Sequence, residues 1–358
     1  MKSLCAVRGL AALLMVSLLA CVPPVVEVDG GHDAGVADAG VDAGASEDAG
    51  SDAGDLDAGL PDAGDSDAGA PDAGPADAGD VDAGVSDAGA AGCPVPTGGA
   101  PFTLRVMAAN LTSGNLQSYD PGEGGRIMAG AQPDIVLIQE FKYGSQSDDD
   151  LSAFVLDTFG PDFGWYRGTG GIPNGIISRY PILEAGEWNG AATDRELTWA
   201  KLDVPGGGLL AISVHLLTTS ATNRNADALT IMQQLDAGTS PYAYVVIGGD
   251  FNTNTRSESV FTTLSPRFNV AAPYPVDQQN NGNTSADRSK PYDHVLASNC
   301  LAALQVPTVI GSNQFDGGLV VDTRVYTPIT DLAPALSTDS AATNMQHMGV
   351  VKDFLIQP

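Results

Sequence analysis

The sequence predicts an α/β fold for residues 93–358, on two observations. Apolar runs of strand length recur from Thr103 onward, separated by stretches of helical and loop character. These runs also end, again and again, on a polar or ionisable residue. Leu104–Asn110 reads as a strand ending on an amide, and Pro133–Glu140 as an apolar run ending in an acid. Leu209–His215 ends in a histidine. Ala243–Asp250 ends in an acid, with Asn252 two residues on. Pro291–Ser298 carries Asp293 at the start of a β-rich run, and His347 precedes a last strand through Phe354. A core strand has no packing reason to finish on a charge each time. Ends of this kind predict a site along one sheet edge, where strand termini converge.

Charge divides the chain into three parts. The whole carries 44 acidic and 16 basic side chains, for a formal net charge of -28. Residues 1–21 hold Lys2 and Arg8 and no acid, whereas residues 22–92 hold 18 acids and no Lys or Arg. Residues 93–358 hold 26 acids against 14 bases, an ordinary globular composition with enough length for a sizeable core. A wholly disordered chain and a polytopic membrane protein are both excluded.

Lys2 and Arg8 precede the apolar run Gly9–Ala20, which fits a signal-peptide core and is too short to span a bilayer as a helix. Leu18-Leu-Ala-Cys21 resembles the bacterial lipobox, which implies cleavage before Cys21 and acylation of that cysteine. The alternative is an ordinary secretory signal with an incidental cysteine. Val22 follows Cys21, a pattern compatible with delivery to the outer membrane or cell surface. In an oxidising compartment the remaining pair, Cys93 and Cys300, is free to form a disulfide that would staple the N-terminus of the domain.

Residues 22–92 repeat Asp-Ala-Gly twelve times, with no aromatic residue and no apolar face at helical or strand spacing. Such a segment is expected to stay a disordered spacer, with a reach of about 45 Å. Calcium-binding solenoids also repeat Asp and Gly. They need apolar residues at fixed positions, however, and here the variable positions follow no rule.

Five segments carry a family resemblance: Val106–Asn110, Asp134–Glu140, Asn174–Ile182, Val214-His215-Leu216 and Gly249-Asp-Phe-Asn252. In this order they resemble the endonuclease/exonuclease/phosphatase superfamily, the DNase I-like proteins, over residues 101–356. The resemblance implies a four-layer α/β sandwich, two mixed β-sheets packed face to face and flanked by helices. It also implies metal-assisted phosphoester hydrolysis. Asn110 and Glu140 would hold Mg²⁺ (or Mn²⁺), a hard cation that prefers oxygen ligands. Asp250 would orient or deprotonate the attacking water, and Asn252 would donate to the phosphate. His347 would be the catalytic histidine, oriented by Asp293. His215 would serve as phosphate ligand or leaving-group acid. Where most relatives have Asp before the last histidine, this chain has Gln346, a neutral amide that brings no charge to a metal.

Asn115 and Tyr119 are expected on the substrate side, His294 is expected to be structural, and Arg179 and Arg195 are not assigned to the site. The expected activity is that of a phosphodiesterase or nuclease, monomeric and anchored to the membrane through its N-terminal lipid. A net charge of -12 on the domain weighs against a duplex-DNA footprint. The alternatives are a phosphatase or a phosphodiesterase for lipid head groups or small molecules, or a surface binding module that has lost catalysis.

Overall fold

All six apolar runs expected as strands lie in two mixed sheets of a computed structural model, which describes residues 92–238, 242 and 244–358. The signal segment, Cys21 and the Asp-Ala-Gly repeats lie outside the described residues. The strands are β1 Phe102–Ala109, β2 Ile135–Ile138, β3 Gly164–Arg167, β4 Gly175–Ser178, β5 Ile182–Trp188, β6 Leu197–Leu202 and β7 Leu209–His215. They continue as β8 Val245–Asp250, β9 Asp293–Ala297, β10 Gln305–Val306, β11 Thr308–Ile310, β12 Asn313–Phe315, β13 Leu319–Val321 and β14 Gly349–Ile356. The helices are α1 Glu123–Ala131, α2 Asp148–Phe159, α3 Ala221–Asp236, α4 Ser259–Leu264 and α5 Asn299–Ala302.

The first sheet runs β10-β14-β1-β2-β4-β3, with β13 also paired to β14, and the second runs β5-β6-β7-β8-β9. Each contains one parallel pair, β1 with β2 and β7 with β8, among antiparallel neighbours. β11 and β12 form a separate hairpin. Several strands are shorter than the apolar runs: β2 stops at Ile138, two residues before Glu140. Glu140 adopts a left-handed φ of 52°, which takes the chain out of the sheet.

Burial explains the layering. On β7 every residue is buried, but alternate side chains serve different cores. Leu209 and Ala211 join Leu137, Ile176, Val246 and Val295 in a core between the two sheets. Leu210, Ile212 and Val214 pack outward against Ala228, Ile231 and Leu235 of α3 and Val260 and Leu264 of α4. The outer face of the first sheet is covered by Ile127 and Met128 of α1 and Leu151, Phe154 and Val155 of α2. The order helix, sheet, sheet, helix is the four-layer sandwich expected. Helix starts follow local chemistry: Ser147 accepts a bond from the Asp150 amide ahead of three acids that favour the helix N-terminus, and Ser220 caps α3 through the Asn223 amide.

Cys93 and Cys300 form a disulfide, with their Cα atoms 5.2 Å apart across 207 residues of sequence. Cys300 lies in α5, directly after β9, and the amides of Gly98 and Gly99 both donate to the Pro358 carbonyl at 2.9 Å. Both termini of the described domain are thus tied to its body. A cross-link closing so long a loop restricts the unfolded chain strongly, so reduction should destabilise the domain by about 2–5 kcal/mol. Denaturant midpoints measured with and without dithiothreitol test this, and coincident curves would refute it.

Candidate active site

Strand register alone gathers the predicted residues. His215 at the end of β7 pairs with Asp250 at the end of β8, and Asp250 pairs with Asp293 at the start of antiparallel β9. In the other sheet Ala109 pairs with Ile138, so Asn110 and Glu140 leave β1 and β2 side by side. β14 is antiparallel to β1, with Val350 opposite Ala108, which returns His347 to the same end. Each of these residues is nearly inaccessible, with Asn252 beside them.

The two halves of the site are joined by a bond between the sheets. Gln139 Nε2 donates to Ser213 Oγ on β7 at 2.9 Å, and Ser213 Oγ donates to the Ile138 carbonyl on β2 at 3.0 Å. Gly249 makes this possible. A Cβ there would lie 2.4 Å from Gln139 Nε2 and 2.2 Å from the Val214 carbonyl, and its φ is +130°. Tyr119 OH donates to the Ala109 carbonyl at 2.8 Å and lies 3.1 Å from that of Gln139. Tyr119 is therefore a fully buried pin between the ends of β1 and β2, not the substrate-side residue expected. Asn115 is exposed and does not line the cleft; Gln117 does.

Asp250 is the centre of the cluster. Its Oδ1 accepts from the Asn252 amide at 2.8 Å. Its Oδ2 accepts from Asn110 Nδ2 at 3.2 Å and Asn252 Nδ2 at 3.1 Å, and faces His215 Nε2 at 3.2 Å and His347 Nε2 at 3.5 Å. Burial pushes this carboxyl up to about 7, opposed by His347 and reinforced by Asp293. His347 Nδ1 lies 2.9 Å from Asp293 Oδ2. Burial works against charge on His347, but the Asp293 and Asp250 carboxylates prevail and lift it to about 10. His215 is held well below the ordinary histidine range, by burial first and then by Arg195 and His347.

Three assignments change. Asn252 Nδ2 donates to the Leu216 carbonyl at 2.9 Å as well as to Asp250, so both amide hydrogens are committed to holding the acid, not offered to a phosphate. The neutral His215 ring is poorly suited to be a leaving-group acid. Arg195, passed over in the sequence, enters the site: its Nη1 lies 2.8 Å from His215 Nε2, and Asp194 grips its other two nitrogens at 3.0 Å each. One His215 tautomer accepts from Arg195 and the other donates to Asp250. Both contacts fall on Nε2, and the closer one, to Arg195, favours a neutral ring that accepts there, since an imidazolium would set N–H against N–H. Arg195 sits in the loop before β6, where no strand-end pattern marks it. Arg179 instead pairs with Asp134 at 2.9 Å, and His294 is buried, bonded to Pro291 and Thr253. Gln346 lies exposed on the cleft rim.

Oxygen donors suited to a hard cation are present. Asn110 Oδ1 is buried with no partner. Glu140 Oε2 accepts from Thr112 at 2.7 Å, while its Oε1 meets only the Asn110 amide, at 3.5 Å. Asp250, Asp293 and His347 also cluster within 4.8 Å. In the metal-free protein His347 keeps a proton and has no lone pair to give, whereas Asn110 and Glu140 offer oxygens that fit a hard cation. The cleft above, about 430 Å³, is lined by Glu140, Arg195, His215, Asp250, Asn252 and His347.

The charge states can be checked directly. A group raised on folding stabilises most fully below its unfolded value, so His347's contribution should be complete below about 6.5, decline steadily as pH rises from there, and be gone above about 10. In metal-free protein, ¹⁵N NMR should show both His347 ring nitrogens protonated at pH 8 and His215 still neutral at pH 6. A His347 that titrates near 6.5 would contradict this arrangement.

Comparison with known proteins agrees with the architecture. The endonuclease/exonuclease/phosphatase family model matches residues 113–328. No curated protein matches the sequence. Among solved structures, the endonuclease/exonuclease/phosphatase from Bacteroides vulgatus is 16% identical, with a TM-score of 0.51, covering 72% of this chain and all of its own. A protein of the same description from Beutenbergia cavernae is 18% identical (TM-score 0.49; 71% of this chain, 72% of that one). The human nocturnin catalytic domain with bound sulfate is 13% identical (TM-score 0.48; 70% and 94%). With a family model spanning more than half of its length, the chain belongs to the endonuclease/exonuclease/phosphatase family.

Proposed function

We propose that this protein is a metal-dependent phosphodiester hydrolase, a phosphodiesterase or nuclease, tethered to the cell envelope. The observation that carries this reading is the convergence of Asn110, Glu140, Asp250, His215 and the His347–Asp293 pair beneath one cleft. Asn110 and Glu140 would hold Mg²⁺ or Mn²⁺, which when bound supplies Lewis-acid polarisation of a phosphoryl oxygen and offsets leaving-group charge. Asp250, poised near neutrality, takes the proton of the attacking water as its oxygen bonds to phosphorus. Asn110 and Asn252 aim that carboxylate. His347, held as imidazolium by Asp293, presents positive charge to the phosphoryl oxygens as the leaving oxygen departs. His215 and Arg195 bound the opposite wall, where the guanidinium suits a phosphate oxygen.

One observation favours compact phosphodiesters, such as lipid head groups, over duplex DNA. Of the 14 Lys and Arg in 93–358, nine are paired with acids among the described residues. Few cations remain to track a nucleic-acid backbone.

Hydrolysis of plasmid DNA, bis-p-nitrophenyl phosphate and sphingomyelin, with and without metal, separates these substrates. EDTA should abolish turnover and Mg²⁺ or Mn²⁺ should restore it. His347→Ala and Asp250→Ala should each lower the rate about 10²–10⁴-fold. A folded protein that turns over none of the three would point to the binding module instead.

The envelope anchor rests on the lipobox-like Leu18–Cys21 and the acidic spacer behind it. Cells fed radiolabelled palmitate should label the wild-type chain but not Cys21→Ser. Equal labelling of both would exclude acylation at Cys21.

A further inference from the structure

Asp227 is the one acid on the buried face of α3, and helix stability gives no reason to keep it there. It is 2% exposed and sits in mid-helix, where Asp is a poor helix former. Arg224, one turn earlier on the same face, is committed to Glu258 at 2.7 Å and to the Leu217 and Thr218 carbonyls. Burial pushes the Asp227 carboxyl up to about 6, the Ala191 amide opposes this, Glu196 adds to it, and no cation acts on it. Burying an acid beside a second acid, with no cation to answer it, is unfavourable for folding.

What Asp227 holds is the loop between β5 and β6. Its Oδ1 accepts from the Ala191 amide at 2.6 Å, and a Cβ at Gly190 would lie only 3.1 Å from the same oxygen. The Gly190 amide donates to Glu196 Oε2 at 2.7 Å, closing the loop on itself. Asn174 Nδ2 donates to the Glu196 carbonyl at 2.8 Å, and the Ile172 amide donates to that of Asp194 at 3.0 Å. Between these anchors stand Asp194 and Arg195. The Arg195 side chain, 12% exposed, reaches from there to His215 and lines the cleft. A long side chain binds well only when its head group is already in place, because ordering it on binding costs affinity.

We propose that Asp227 is a positioning residue, which fixes Gly190 and Ala191 and so holds the Arg195 guanidinium where a phosphoryl oxygen enters the cleft. The inference rests on the phosphoester reading of that cleft. It assigns control of substrate binding to a helix that contributes nothing to the cleft lining. An amide keeps the acceptor oxygen, so Asp227→Asn preserves the bond to Ala191, whereas Asp227→Ala removes it.

With bis-p-nitrophenyl phosphate and Mg²⁺, Asp227→Ala should raise KM about tenfold and leave kcat within about twofold, with Asp227→Asn close to wild type. In an Arg195→Ala background Asp227→Ala should add nothing, and a full additional loss there would overturn the proposal. A second readout needs no turnover. Phenylglyoxal should modify Arg195, followed by peptide mass mapping, about tenfold faster in Asp227→Ala than in wild type or Asp227→Asn. Arg224, buried against Glu258, should stay protected in all three and so reports an intact fold. Equal Arg195 reactivity in wild type and Asp227→Ala overturns the proposal. A wild-type protein without turnover sinks the hydrolase reading alone, and the modification rates still decide the role of Asp227. Should Asp227→Ala fail to fold, Gly190→Val, which pushes the loop off an intact Asp227, takes its place: faster modification of Arg195 upholds the proposal and an unchanged rate overturns it.

Discussion

Everything in the cleft depends on one side chain crossing between two sheets. Gln139 leaves the end of β2, enters the space above Gly249 and donates to Ser213 on β7. Deeper between the sheets the packing is apolar, a contact that fixes distance well and lateral position poorly. A buried amide with a directional partner removes that freedom, because sliding one sheet against the other would leave Gln139 and Ser213 unsatisfied. Asn110 and Glu140 come from one sheet, and His215, Asp250 and Asp293 from the other. Their mutual distances are therefore set by this bond together with the Asn110–Asp250 and His347–Asp293 contacts. The family-like pairing of Gln-Glu in one strand with Gly-Asp in another gains a mechanical sense from it: Gln and Gly align the sheets, and Glu and Asp use the alignment.

The cluster also shows how a fold keeps charge in a nearly dry place. Two carboxylates and two imidazoles meet around Asp250, yet only one imidazole is charged. His347 lies against both acids, while His215 meets a guanidinium at the same Nε2 that faces Asp250. Identical side chains a few ångströms apart are sorted into imidazolium and neutral ring by what else each touches. Left-handed backbone at Glu140 and Asn252 serves the same end, turning both side chains toward the cluster at some conformational cost.

How much of this was legible in the sequence follows from where each residue sits. Strand ends were readable because an apolar run that stops on an acid is conspicuous, and register then carries His215, Asp250 and Asp293 together without further information. Arg195 was not readable, since it belongs to a loop and reaches the site through the grip of Asp194. Asn252 lies in the cluster, but its role is not legible in sequence, because the commitment of both its amide hydrogens to Leu216 and Asp250 is a matter of three-dimensional contact. Tyr119 was misplaced for a related reason: proximity in sequence to Asn110 says nothing about which side of the sheet the ring takes.

The bridge from Cys93 to Cys300 has a consequence for a chain pulled from its N-terminus. Load arriving along the residues before Cys93 would enter the body of the domain at α5, beside the end of β9, and bypass the Pro94–Pro101 lead-in and the edge of β1. Peeling β1 from β2 and β14 would separate Asn110 from Glu140. Routing tension through a covalent link to the helix after β9 shields that pair, so the cleft can remain intact under such a load.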